Sequence, residues 1–540
     1  MHTRSAPVTP QATATGDQNL DRLIASLRAP GCYPHAVGEV EVLQTHISCV
    51  LLAGDYAYKI KKPVDFGFLD FRTLAARRRY CEEELRLNRR TAPGLYLDVI
   101  SIGGCVSAPV LGGGTAIEYA LRMKRFEQDA LLDRMARQGE LSPQHVDALA
   151  SGIARFHAGI ERAGADSVFG SAGHILAQAV QNFDQMRALI STKAELALLA
   201  RLRDWTLVAH ASLASAFDAR KRAGWVRECH GDLHLGNIAL LAGVPTPFDG
   251  IEFSADLRWI DVMNEVAFLI MDLIDHRLPR LAWRFLNAYL ELSGDYAGMR
   301  VQRFYLVYRA LVRAKVACMR AHQPGLALRL KSELEHEYRR HLTLAERLAA
   351  PAHAALLIMH GLSGSGKTTV AQGLAEALGA VRLRSDVERK RLHGLAKLER
   401  SASALDALLY TPRASERTYT HLAGLAREVL ATGYPVIVDA AFLKRSQREC
   451  FAELARGAGA RFLIVACSAS PAALRARVAR RERAADDASE AGLEVLAQQF
   501  STQEPLAADE TGNALTLDAE RSTGPAEAAA VALRLGLETP

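Results

Sequence analysis

Residues 355–369 read ALLIMHGLSGSGKTT, an apolar run followed by a glycine-rich stretch. The part from Gly361 to Thr368 fits the pattern GxxxxGK followed by Ser or Thr, and it lies between an expected strand (355–359) and an expected helix (368–378). Glycines let backbone N–H groups turn toward a phosphate, and the end of the following helix adds partial positive charge. The stretch therefore predicts a phosphate-binding loop rather than an ordinary glycine-rich turn.

This loop is expected to hold ATP and Mg²⁺, the two cofactors that the motif implies. Lys367 can reach the outer phosphates, and the hydroxyl of Thr368 can bind Mg²⁺. The residues expected to contact the nucleotide are Gly361, Ser363, Gly364, Ser365, Gly366, Lys367, Thr368 and Thr369.

The chain around and after this loop alternates between strand-like and helix-like segments. The strand candidates are ALLIMHG, AVRLRSD, YPVIVDA and ARFLIVACS, each followed by a helical run. That alternation predicts an α/β P-loop domain with a parallel sheet. Asp386 follows the second strand, where it can accept a proton from a substrate hydroxyl. The alternative is a helix N-cap formed by Ser385 or Asp386, and the two roles are compatible. Asp439 ends the third strand and suits an acid that holds the hydration shell of Mg²⁺.

An arginine-rich segment, LRARVARRERAADDAS (474–489), has two interpretations. It is either a solvated helix face or a lid that brings Arg477, Arg480 or Arg481 over the transferring phosphate. Together with GLSGSGKTT, SDVERK and VIVDAAF, it makes the region 354–510 resemble the small P-loop kinases of the gluconate kinase, zeta-toxin and polynucleotide 5′-kinase type. The resemblance implies phosphoryl transfer from ATP to a hydroxyl, and we expect Arg477 and Arg481 to act in catalysis.

A second polar stretch, CHGDLHLGN (229–237), poses a choice between a metal site and a catalytic loop. His230 and His234 are four apart, as in helical zinc sites, which also need a helix and a third protein ligand. The glycines in the stretch break a helix, and no HExxH, cysteine pair or other ligand cluster lies nearby in sequence. We therefore favour the aspartate and the asparagine of this stretch as its working residues, with His230 fixing the loop by hydrogen bonding.

Those residues follow the layout of protein-kinase catalytic loops, in which a loop aspartate precedes an asparagine by five residues and a second aspartate comes later. Asp232 would orient and deprotonate the acceptor hydroxyl. Asn237 would bind one Mg²⁺, and Asp249, in the turn after the strand NIALL, would hold metal between the phosphates.

HGDLHLGN and FDGIEF together resemble the aminoglycoside phosphotransferase and choline kinase family, over about residues 35–345. The resemblance implies that Asp232 lies in the catalytic loop and that Asp249 plays the metal-binding part. It also implies that Asp261 is the later acid that supports the loop. Glu252 is either an auxiliary metal ligand or a surface carboxylate.

The kinase fold further implies a strand lysine that binds the α- and β-phosphates and pairs with a helix glutamate. The candidates are Lys59, Lys61 and Lys62 on the strand and Glu82, Glu83 and Glu84 on the helix. Strand alternation puts Lys59 and Lys61 on one face, and we prefer Lys59 with Lys61 in reserve. The sequence does not choose among the glutamates, and a basic solvated edge beside an acidic helix is the alternative. No GxGxxG loop is present; the corresponding turn reads QTHIS (44–48).

Local patterns predict the elements of this first part of the chain. Residues 40–62 predict three short antiparallel strands with breaks at Thr45-His46 and Gly54-Asp55. A helix is expected over 73–92, strands over 98–104 and 116–126, and mostly helix from 140 to 345, where His157 is expected in packed core. The fold class expected for the whole chain is an α+β protein-kinase-like two-lobed domain followed by an α/β P-loop domain.

The expected domain boundaries follow from shifts in composition. They are a disordered tail over 1–18, a kinase-like domain over 19–345 with a small lobe at about 35–126 and a helical lobe at about 127–345, a linker over 346–354, and the P-loop domain over 355–540. At roughly 100–200 residues per domain, a chain of 540 residues agrees with this division.

Composition narrows the class of protein. The 66 basic and 60 acidic residues leave a net charge of +6, which is too mild to favour nucleic-acid binding. The eight scattered cysteines form no CxxC pair and suggest reduced thiols. The sequence contains no uninterrupted apolar run of about 18 residues, so no membrane-spanning helix is expected. The N-terminus lacks the apolar core of a secretory signal, and we expect a cytoplasmic protein.

The predicted function is Mg²⁺- and ATP-dependent phosphorylation of hydroxyls on small molecules such as sugars, aminocyclitols or amino alcohols. The segment 270–345 is rich in arginine, which favours a neutral or anionic acceptor for the first domain. Two alternatives stay open: a nucleotide-sensing ATPase in which one domain regulates the other, and a nucleic-acid end kinase. The sequence leaves the oligomeric state open.

Overall fold

The computed structural model describes residues 14–65, 69–350, 353–399, 411–484, 488–489, 491–518, 520 and 525–537. The chain divides into two compact units. The first consists of Met1–His145, Arg155–Ser171 and Lys221–Glu265, and the second consists of Val146–Ala154, Ala172–Arg220 and Val266–Pro540. The helices just before the P-loop segment therefore belong to the same unit as that segment.

The strands and helices are numbered separately along the chain. The strands are β1 (Val40–Gln44), β2 (Ser48–Ala53), β3 (Tyr56–Lys61), β4 (Tyr96–Cys105), β5 (Ala108–Leu111), β6 (Glu118–Lys124), β7 (Val226–Glu228), β8 (Ile238–Leu241), β9 (Val244–Pro247), β10 (Trp259–Asp261), β11 (Ala355–His360), β12 (Val381–Arg384), β13 (Val436–Asp439), β14 (Arg461–Ser468) and β15 (Ala514–Asp518). The helices are α1 (Ala14–Leu27), α2 (Leu74–Asn88), α3 (Leu132–Gln138), α4 (Pro143–Gly159), α5 (Ala172–Arg187), α6 (Lys193–Arg222), α7 (Ala255–Arg258), α8 (Val262–Asp275), α9 (Pro279–Ser293), α10 (Met299–Ala321), α11 (Leu328–Ala349), α12 (Lys367–Leu378), α13 (Ser385–Leu392), α14 (Pro412–Leu430), α15 (Arg445–Gly457), α16 (Pro471–Ala484), α17 (Leu493–Thr502) and α18 (Pro525–Leu535).

The first unit is built on an antiparallel sheet with the strand order β1-β2-β3-β6-β4-β5. Strands β1 to β3 match the three predicted strands, and the chain turns at both predicted breaks. Leu51, Tyr58 and Ile60 are at most 1% exposed and share one apolar cluster with Leu23 and Leu27 of α1. Helix α2 packs against β4 and β6, so one of its acidic residues can meet a lysine of the neighbouring strand β3.

Two expectations about the ends of this region need correction. The disordered tail expected over 1–18 is wrong for residues 14–18, which begin α1, while residues 1–13 lie outside the described part. The helix forms because apolar residues from Leu20 to Leu27 recur at spacings of three and four and are buried. Helix α11 continues to Ala349, so the first residues of the expected linker over 346–354 are helical.

The second unit contains a sheet that is parallel throughout, in the order β12-β13-β11-β14-β15. This confirms the α/β P-loop fold. The four predicted strands are β11 to β14, and β15 is an addition that the sequence did not indicate. Residues 355–359 of the central strand have no exposed surface, as expected when helices cover both faces of a parallel sheet.

The carboxyl ends of three neighbouring strands carry the polar residues of the P-loop segment. The phosphate-binding loop follows β11, Asp386 follows β12, and Asp439 ends β13. Parallel strands bring their carboxyl ends to one edge of the sheet, and ligands of open α/β sheets bind at that edge.

The second unit also contains most of the predicted helical region, in which α10 packs along α11 and against α5. Across the described residues, no helix is both long enough and apolar enough to cross a membrane.

Candidate phosphate-binding sites

A buried network of charges joins strand β3 to helix α2 in the first unit. Lys59 Nζ lies 2.7 Å from Glu84 Oε1, and Lys61 Nζ lies 2.7 Å from Glu84 Oε2. Both lysines therefore lie on one face of β3, as strand alternation predicts. Of the three candidate glutamates, Glu84 is the one that pairs with the strand lysines, and its side chain is fully buried. Burial alone would raise the pKa of Glu84, but Lys59 and Lys61 lower it to about 2, so the carboxylate is charged.

The same two lysines reach the segment that follows strand β9. Lys59 Nζ lies 2.5 Å from Asp249 Oδ1, and Lys61 Nζ binds Glu252 Oε1. Glu252 is only 4% exposed, so it is not the surface carboxylate of one interpretation. Asp249 follows the β8–β9 hairpin rather than the strand NIALL directly, because β9 intervenes.

Asp249 adopts a backbone conformation that is uncommon for a residue other than glycine, with φ of 61°. Its N–H donates to the hydroxyl of Tyr96 at 2.9 Å, and the N–H of Gly250 donates to Asn88 Oδ1 at 2.7 Å. These contacts hold the turn in place and keep the Asp249 side chain 42% exposed. Such conformations persist where the surroundings enforce them, often at functional sites.

Asp232 lies in a loop that histidine and asparagine side chains fix in place. His230 Nδ1 accepts the N–H of Asp232 at 3.3 Å, and His230 Nε2 donates to the carbonyl of Phe248 at 2.9 Å. Burial lowers the pKa of His230, in agreement with a neutral ring that donates from one nitrogen and accepts at the other. The ring therefore ties the loop that contains Asp232 to Phe248, the residue before Asp249.

Asn237 lies beside Asp232 and near the start of the Asp249 turn. The side-chain amide nitrogen of Asn237 donates to Asp232 Oδ2 at 2.9 Å. The backbone carbonyl of Asn237 accepts the N–H of Phe248 at 2.9 Å. Amide and carboxylate oxygens are the kind of ligand that Mg²⁺ prefers, so the side chains of Asn237 and Asp249 have the chemistry to hold that ion. His234 lies 3.4 Å from Asp232 through Nε2, and its Nδ1 accepts the N–H of Gly236.

A fully buried glutamate holds the other side of the loop that contains Asp232. Glu265 Oε1 accepts the N–H of Gly231 at 2.6 Å, and Glu265 Oε2 lies 2.9 Å from His157 Nε2. Burial acts to raise the pKa of Glu265, but the hydrogen bonds and charges of its partners, His157 foremost, together outweigh burial, and the pKa is about 2. Asp261, the acid that the family resemblance offers for loop support, accepts the N–H of Met263 at 2.9 Å. The sequence indicated Asp261, directly before helix α8, as the loop-supporting acid but did not indicate Glu265 in the first turn of that helix.

The phosphate-binding loop of the second unit is shaped by glycines in close contact with neighbouring backbone. A Cβ at Gly361 would lie 2.5 Å from the carbonyl oxygen of Cys467, and one at Gly364 would lie 2.8 Å from that of Leu474. Both glycines have positive φ, which other residues rarely adopt. Lys367 Nζ donates to the carbonyl of Leu362 at 2.7 Å, and burial lowers the pKa of this lysine.

Thr368 and Asp439 form a pair that fits a magnesium ion. Thr368 Oγ1 donates to Asp439 Oδ1 at 3.4 Å, a long contact. Asp439 is 5% exposed, and its Oδ2 is buried without a hydrogen-bond partner among the described residues. Burial raises the pKa of Asp439, so a cation beside it would restore the charged form. A hydroxyl and a carboxylate oxygen that accepts no hydrogen bond are ligands that Mg²⁺ prefers.

A cleft of about 1840 Å³ lies over this loop and gathers most of the predicted residues. Its lining includes Ser363, Gly364, Gly366, Lys367, Thr368, Thr369, Asp386, Asp439, Arg477, Arg480 and Arg481. Gly361 and Ser365 are not among the residues that line the cleft. Ser365 is only 2% exposed, and its N–H donates to the carbonyl of Leu362. Asp386 Oδ1 accepts from Arg389 Nη1 at 2.9 Å, and Arg384, not Ser385 or Asp386, is the N-cap residue of α13.

The arginine-rich segment forms helix α16 beside the phosphate-binding loop. Arg477 Nη1 donates to the carbonyl of Gly364 at 3.3 Å, and Arg481 Nη2 donates to the carbonyl of Ala491 at 2.6 Å. Residues 485–487 of the expected lid lie outside the described part. Sequence reasoning missed Gln499, whose Oε1 accepts the N–H of Ser363 at 2.8 Å, since a glutamine in a helix carries no motif.

Comparison with known protein families matches an AAA domain to residues 356–506, the part that carries the phosphate-binding loop. Among solved structures, the chain is similar to a gluconokinase from Sinorhizobium meliloti, with 22% identity, coverage of 34% of this chain and 91% of the other, and a TM-score of 0.24. It is also similar to an amicoumacin kinase in complex with AMP-PNP and Ca²⁺, with 13% identity, coverage of 62% and 96%, and a TM-score of 0.41. Identities below 25% and TM-scores below 0.5 do not assign this chain to a family. Its family membership rests instead on relatives whose sequences align with most of the chain.

Two such relatives are the uncharacterized proteins Rv2004c of Mycobacterium tuberculosis and Mb2027c of Mycobacterium bovis. Each is 32% identical to this chain over 461 residues, which cover 85% of this chain and 90% of the mycobacterial protein. The alignment is too long to lie within the P-loop segment alone, so it includes much of the chain before it. The chain therefore belongs to the protein family of Rv2004c, with a P-loop domain of the AAA type in its C-terminal part.

Proposed function

We propose that this chain is an ATP- and Mg²⁺-dependent phosphotransferase that uses two nucleotide sites and transfers phosphoryl groups to hydroxyls of small molecules. The observation that carries the proposal is the cleft of about 1840 Å³ in which Lys367, Thr368, Asp386 and Asp439 meet. Phosphoryl transfer asks a protein mainly to position its reactants and to neutralise charge, and this residue set supplies both.

In the second unit, Asp386 would accept the proton of the attacking hydroxyl, and Lys367 would bind the outer phosphates. Thr368 and Asp439 would hold Mg²⁺, which supplies charge neutralisation at the phosphates. Arg477 and Arg481 would stabilise the negative charge on the transferring group from helix α16. To do so they must exchange the carbonyl oxygens of Gly364 and Ala491 for phosphate oxygens.

In the first unit, Asp232 would orient the acceptor hydroxyl and take its proton, because Asn237 and His234 hold its carboxylate. Lys59 would bind the nucleotide phosphates while Glu84 keeps it charged and directed. Asn237 and Asp249 would hold Mg²⁺, since each offers an oxygen ligand near the end of the β8–β9 hairpin.

The acceptor of the second unit is proposed to be a polyhydroxylated molecule with a negative charge. Besides the residues assigned to ATP, the cleft is lined by the cationic residues Arg389, Arg413 and Lys444 and by the hydroxyls of Ser415, Thr420 and Ser446. Besides Asp386, which is the expected base, the acids that line the cleft outside the residues assigned to ATP and Mg²⁺ are Glu416 and Glu520. Arg480 also lines the cleft, so the cations outnumber these acids. An excess of cations favours a carboxylate or phosphate on the acceptor.

The test is transfer from labelled ATP by the full-length protein to sugar acids, neutral polyols and cationic aminocyclitols. We expect Lys367→Ala and Asp386→Asn to abolish transfer to the acceptor of the second unit and to spare that of the first. Asp232→Asn should have the opposite pattern. Rapid phosphorylation of kanamycin-type aminocyclitols by the first unit would contradict a neutral or anionic acceptor there.

A nucleotide-sensing first unit is the second candidate, because Lys59 and Asp249 are bound to each other and must separate before either contacts a nucleotide. The same variants decide between the two. If Lys367→Ala abolishes all ADP release while Asp232→Asn abolishes none, the first unit does not turn over. Binding of a fluorescent ATP analogue that is lost in Lys59→Met would then identify it as a sensor.

A further inference from the structure

Helix α9 lies against β12, the edge strand of the parallel sheet in the second unit. The side-chain amide of Asn287 donates to the carbonyl of Ala380 at 2.9 Å and accepts the N–H of Arg382 at 2.7 Å. One side chain thus supplies both hydrogen bonds that a further strand would give to this edge. The contact fixes α9 in register with β12.

Glu291, one turn after Asn287, is the shared partner of three cations. It is 1% exposed, and its carboxylate lies 2.5 Å from Arg382 Nη2, 2.7 Å from Lys397 Nζ and 3.6 Å from Arg384 Nη1. Although burial opposes ionisation, these cations lower the pKa of Glu291 to about 2. The carboxylate is therefore charged across the physiological range.

The two arginines continue from Glu291 to the residues that fit Mg²⁺. Arg384 Nε lies 3.8 Å from Asp439 Oδ2, the oxygen that lacks a hydrogen bond. Arg382 Nη1 donates to the carbonyl of Thr368 at 3.3 Å. The guanidinium of Arg384 thus lies between two carboxylates, one on α9 and one at the end of β13.

We propose that Glu291 is a positioning residue for the metal-binding acid of the P-loop site, because it neutralises Arg382 and Arg384 and so leaves Asp439 available to a divalent cation. This inference rests on the proposed function, in which Asp439 and Thr368 hold the ion. Without the Glu291 charge, Arg384 would pair fully with Asp439, and two buried positive charges would face the metal. A helix outside the P-loop segment would then set the metal affinity of the P-loop site.

The test measures Mn²⁺ binding to the full-length protein with AMP-PNP present, by titration calorimetry. All variants carry Asp249→Asn, so that the first unit contributes little metal binding. We expect Glu291→Gln to weaken Mn²⁺ binding about tenfold, the scale of one unit charge acting on a divalent ion through a protein interior. Adding Arg384→Gln to Glu291→Gln should restore most of that loss.

The matched control is Glu376→Gln, which also removes a largely buried carboxylate bound by an α9 arginine. Arg284 Nη1 lies 2.8 Å from Glu376. Among the described residues, the other polar side chains bound to this pair are Asp147, Gln372 and Arg280. Its Mn²⁺ affinity should stay within twofold of the background protein. Equal Mn²⁺ affinities for Glu291→Gln and Glu376→Gln, with both proteins folded, would overturn the inference.

Arg384→Gln alone keeps the inference testable if Glu291→Gln does not fold. It removes the cation that competes for Asp439, so Mn²⁺ should bind more tightly than in the background protein. Unchanged or weaker binding would overturn the inference while leaving the proposed function standing. Failure of the background protein itself to bind Mn²⁺ with AMP-PNP would overturn the proposed function of the P-loop site and the inference with it.

Discussion

Glu265 shows how one buried side chain sets the geometry of the loop around Asp232. Its two carboxylate oxygens are divided between the backbone of Gly231 and the ring of His157. Gly231 has φ of 88°, and a Cβ there would lie 2.8 Å from the carbonyl oxygen of Leu257, so the loop has little freedom to adjust. Removing the charge of Glu265 should therefore affect both the stability of the fold and the placement of Asp232.

The first prediction concerns the pH dependence of stability in Glu265→Gln. The pKa of Glu265 is about 2 against an ordinary 4.5, which corresponds to about 3 kcal/mol of stability. Because the folded pKa is lowered, that stability is present above pH 4.5 and is lost as the pH falls toward 2. Urea unfolding at pH 7 should show the full loss in the variant, and the difference from the unmodified protein should shrink steadily below pH 4.5.

The control for this prediction is Glu161→Gln, which replaces an exposed carboxylate of the same unit. Its effect on the free energy of unfolding should stay within about 0.5 kcal/mol. A loss in Glu265→Gln that is independent of pH would mean that shape rather than charge holds the loop.

The second prediction concerns the contribution of Lys61 to the stability of the fold. Lys61 is 1% exposed and binds Glu84 and Glu252, so its replacement removes the lysine that pairs with buried Glu252 and leaves Glu84 with Lys59 alone. Lys61→Met should lower the free energy of unfolding by about 3 kcal/mol. Lys62→Met is the matched control, since Lys62 is only partly buried, and it should change stability by less than about 0.5 kcal/mol. Equal unfolding midpoints for the two variants would show that the buried network contributes nothing.

Sequence reasoning reached the motif residues but not the residues that hold them. Asp232, Asn237 and Asp249 could be proposed from their spacing, because the loop around Asp232 and Asn237 is local in sequence. Glu84 could not be chosen from its neighbours, since the rotation of α2 about its axis depends on packing against β4 and β6. Glu265 acts through a backbone N–H thirty-four residues away, and such contacts leave no pattern in the sequence.

At the scale of elements, the edge of the parallel sheet is the feature that most needs explanation. An open edge strand exposes unpaired N–H and C=O groups, and proteins commonly cover such edges. Here Asn287 covers β12 with a single amide. The sequence could not predict this, because an asparagine within a helix has no distinguishing neighbour, whereas the strands themselves were predicted from their apolar runs.

The third prediction tests that cover. Asn287→Ala leaves the carbonyl of Ala380 and the N–H of Arg382 without their partners, which should cost about 2 kcal/mol of stability. Hydrogen exchange of the Arg382 amide should be markedly faster than in the unmodified protein. In Glu376→Gln, which also changes the α9 contact but not the edge, exchange at Arg382 should be unaltered. Unchanged protection in Asn287→Ala would show that the edge is held by other contacts.

Other elements were missed for identifiable physical reasons. Strand β5 has four residues including a proline, and β15 reads ALTLD in a region otherwise rich in alanine, threonine and glutamate. Short strands of this kind become strands only because a partner is already in place beside them. Helix α1, by contrast, carried a visible signal in the spacing of its apolar residues from Leu20 to Leu27, which the composition of the N-terminal tail obscured.

At the scale of the whole molecule, the unit that contains the P-loop segment also contains helices from well before it. The AAA domain match covers residues 356–506, yet α9 contributes Asn287 and Glu291 to the edge strand and the buried arginines of that segment. The domain boundary expected near residue 350, between the kinase-like and P-loop domains, remains a prediction from the sequence. The contacts indicate that a P-loop segment cut at that boundary would lose part of its own structure.

The last prediction follows from those contacts. A fragment of residues 353–540 would expose the edge of β12 and leave Arg382 and Arg384 without the Glu291 carboxylate, so we expect it to be largely insoluble or to unfold well below the full-length chain. Adding Arg382→Leu and Arg384→Gln to the fragment should recover part of its solubility, since the buried charges that Glu291 neutralises in the full-length chain are then gone. Soluble yield and thermal unfolding by circular dichroism measure both effects. A fragment that unfolds cooperatively at the same temperature as the full-length chain would show that α9 is dispensable to the P-loop segment.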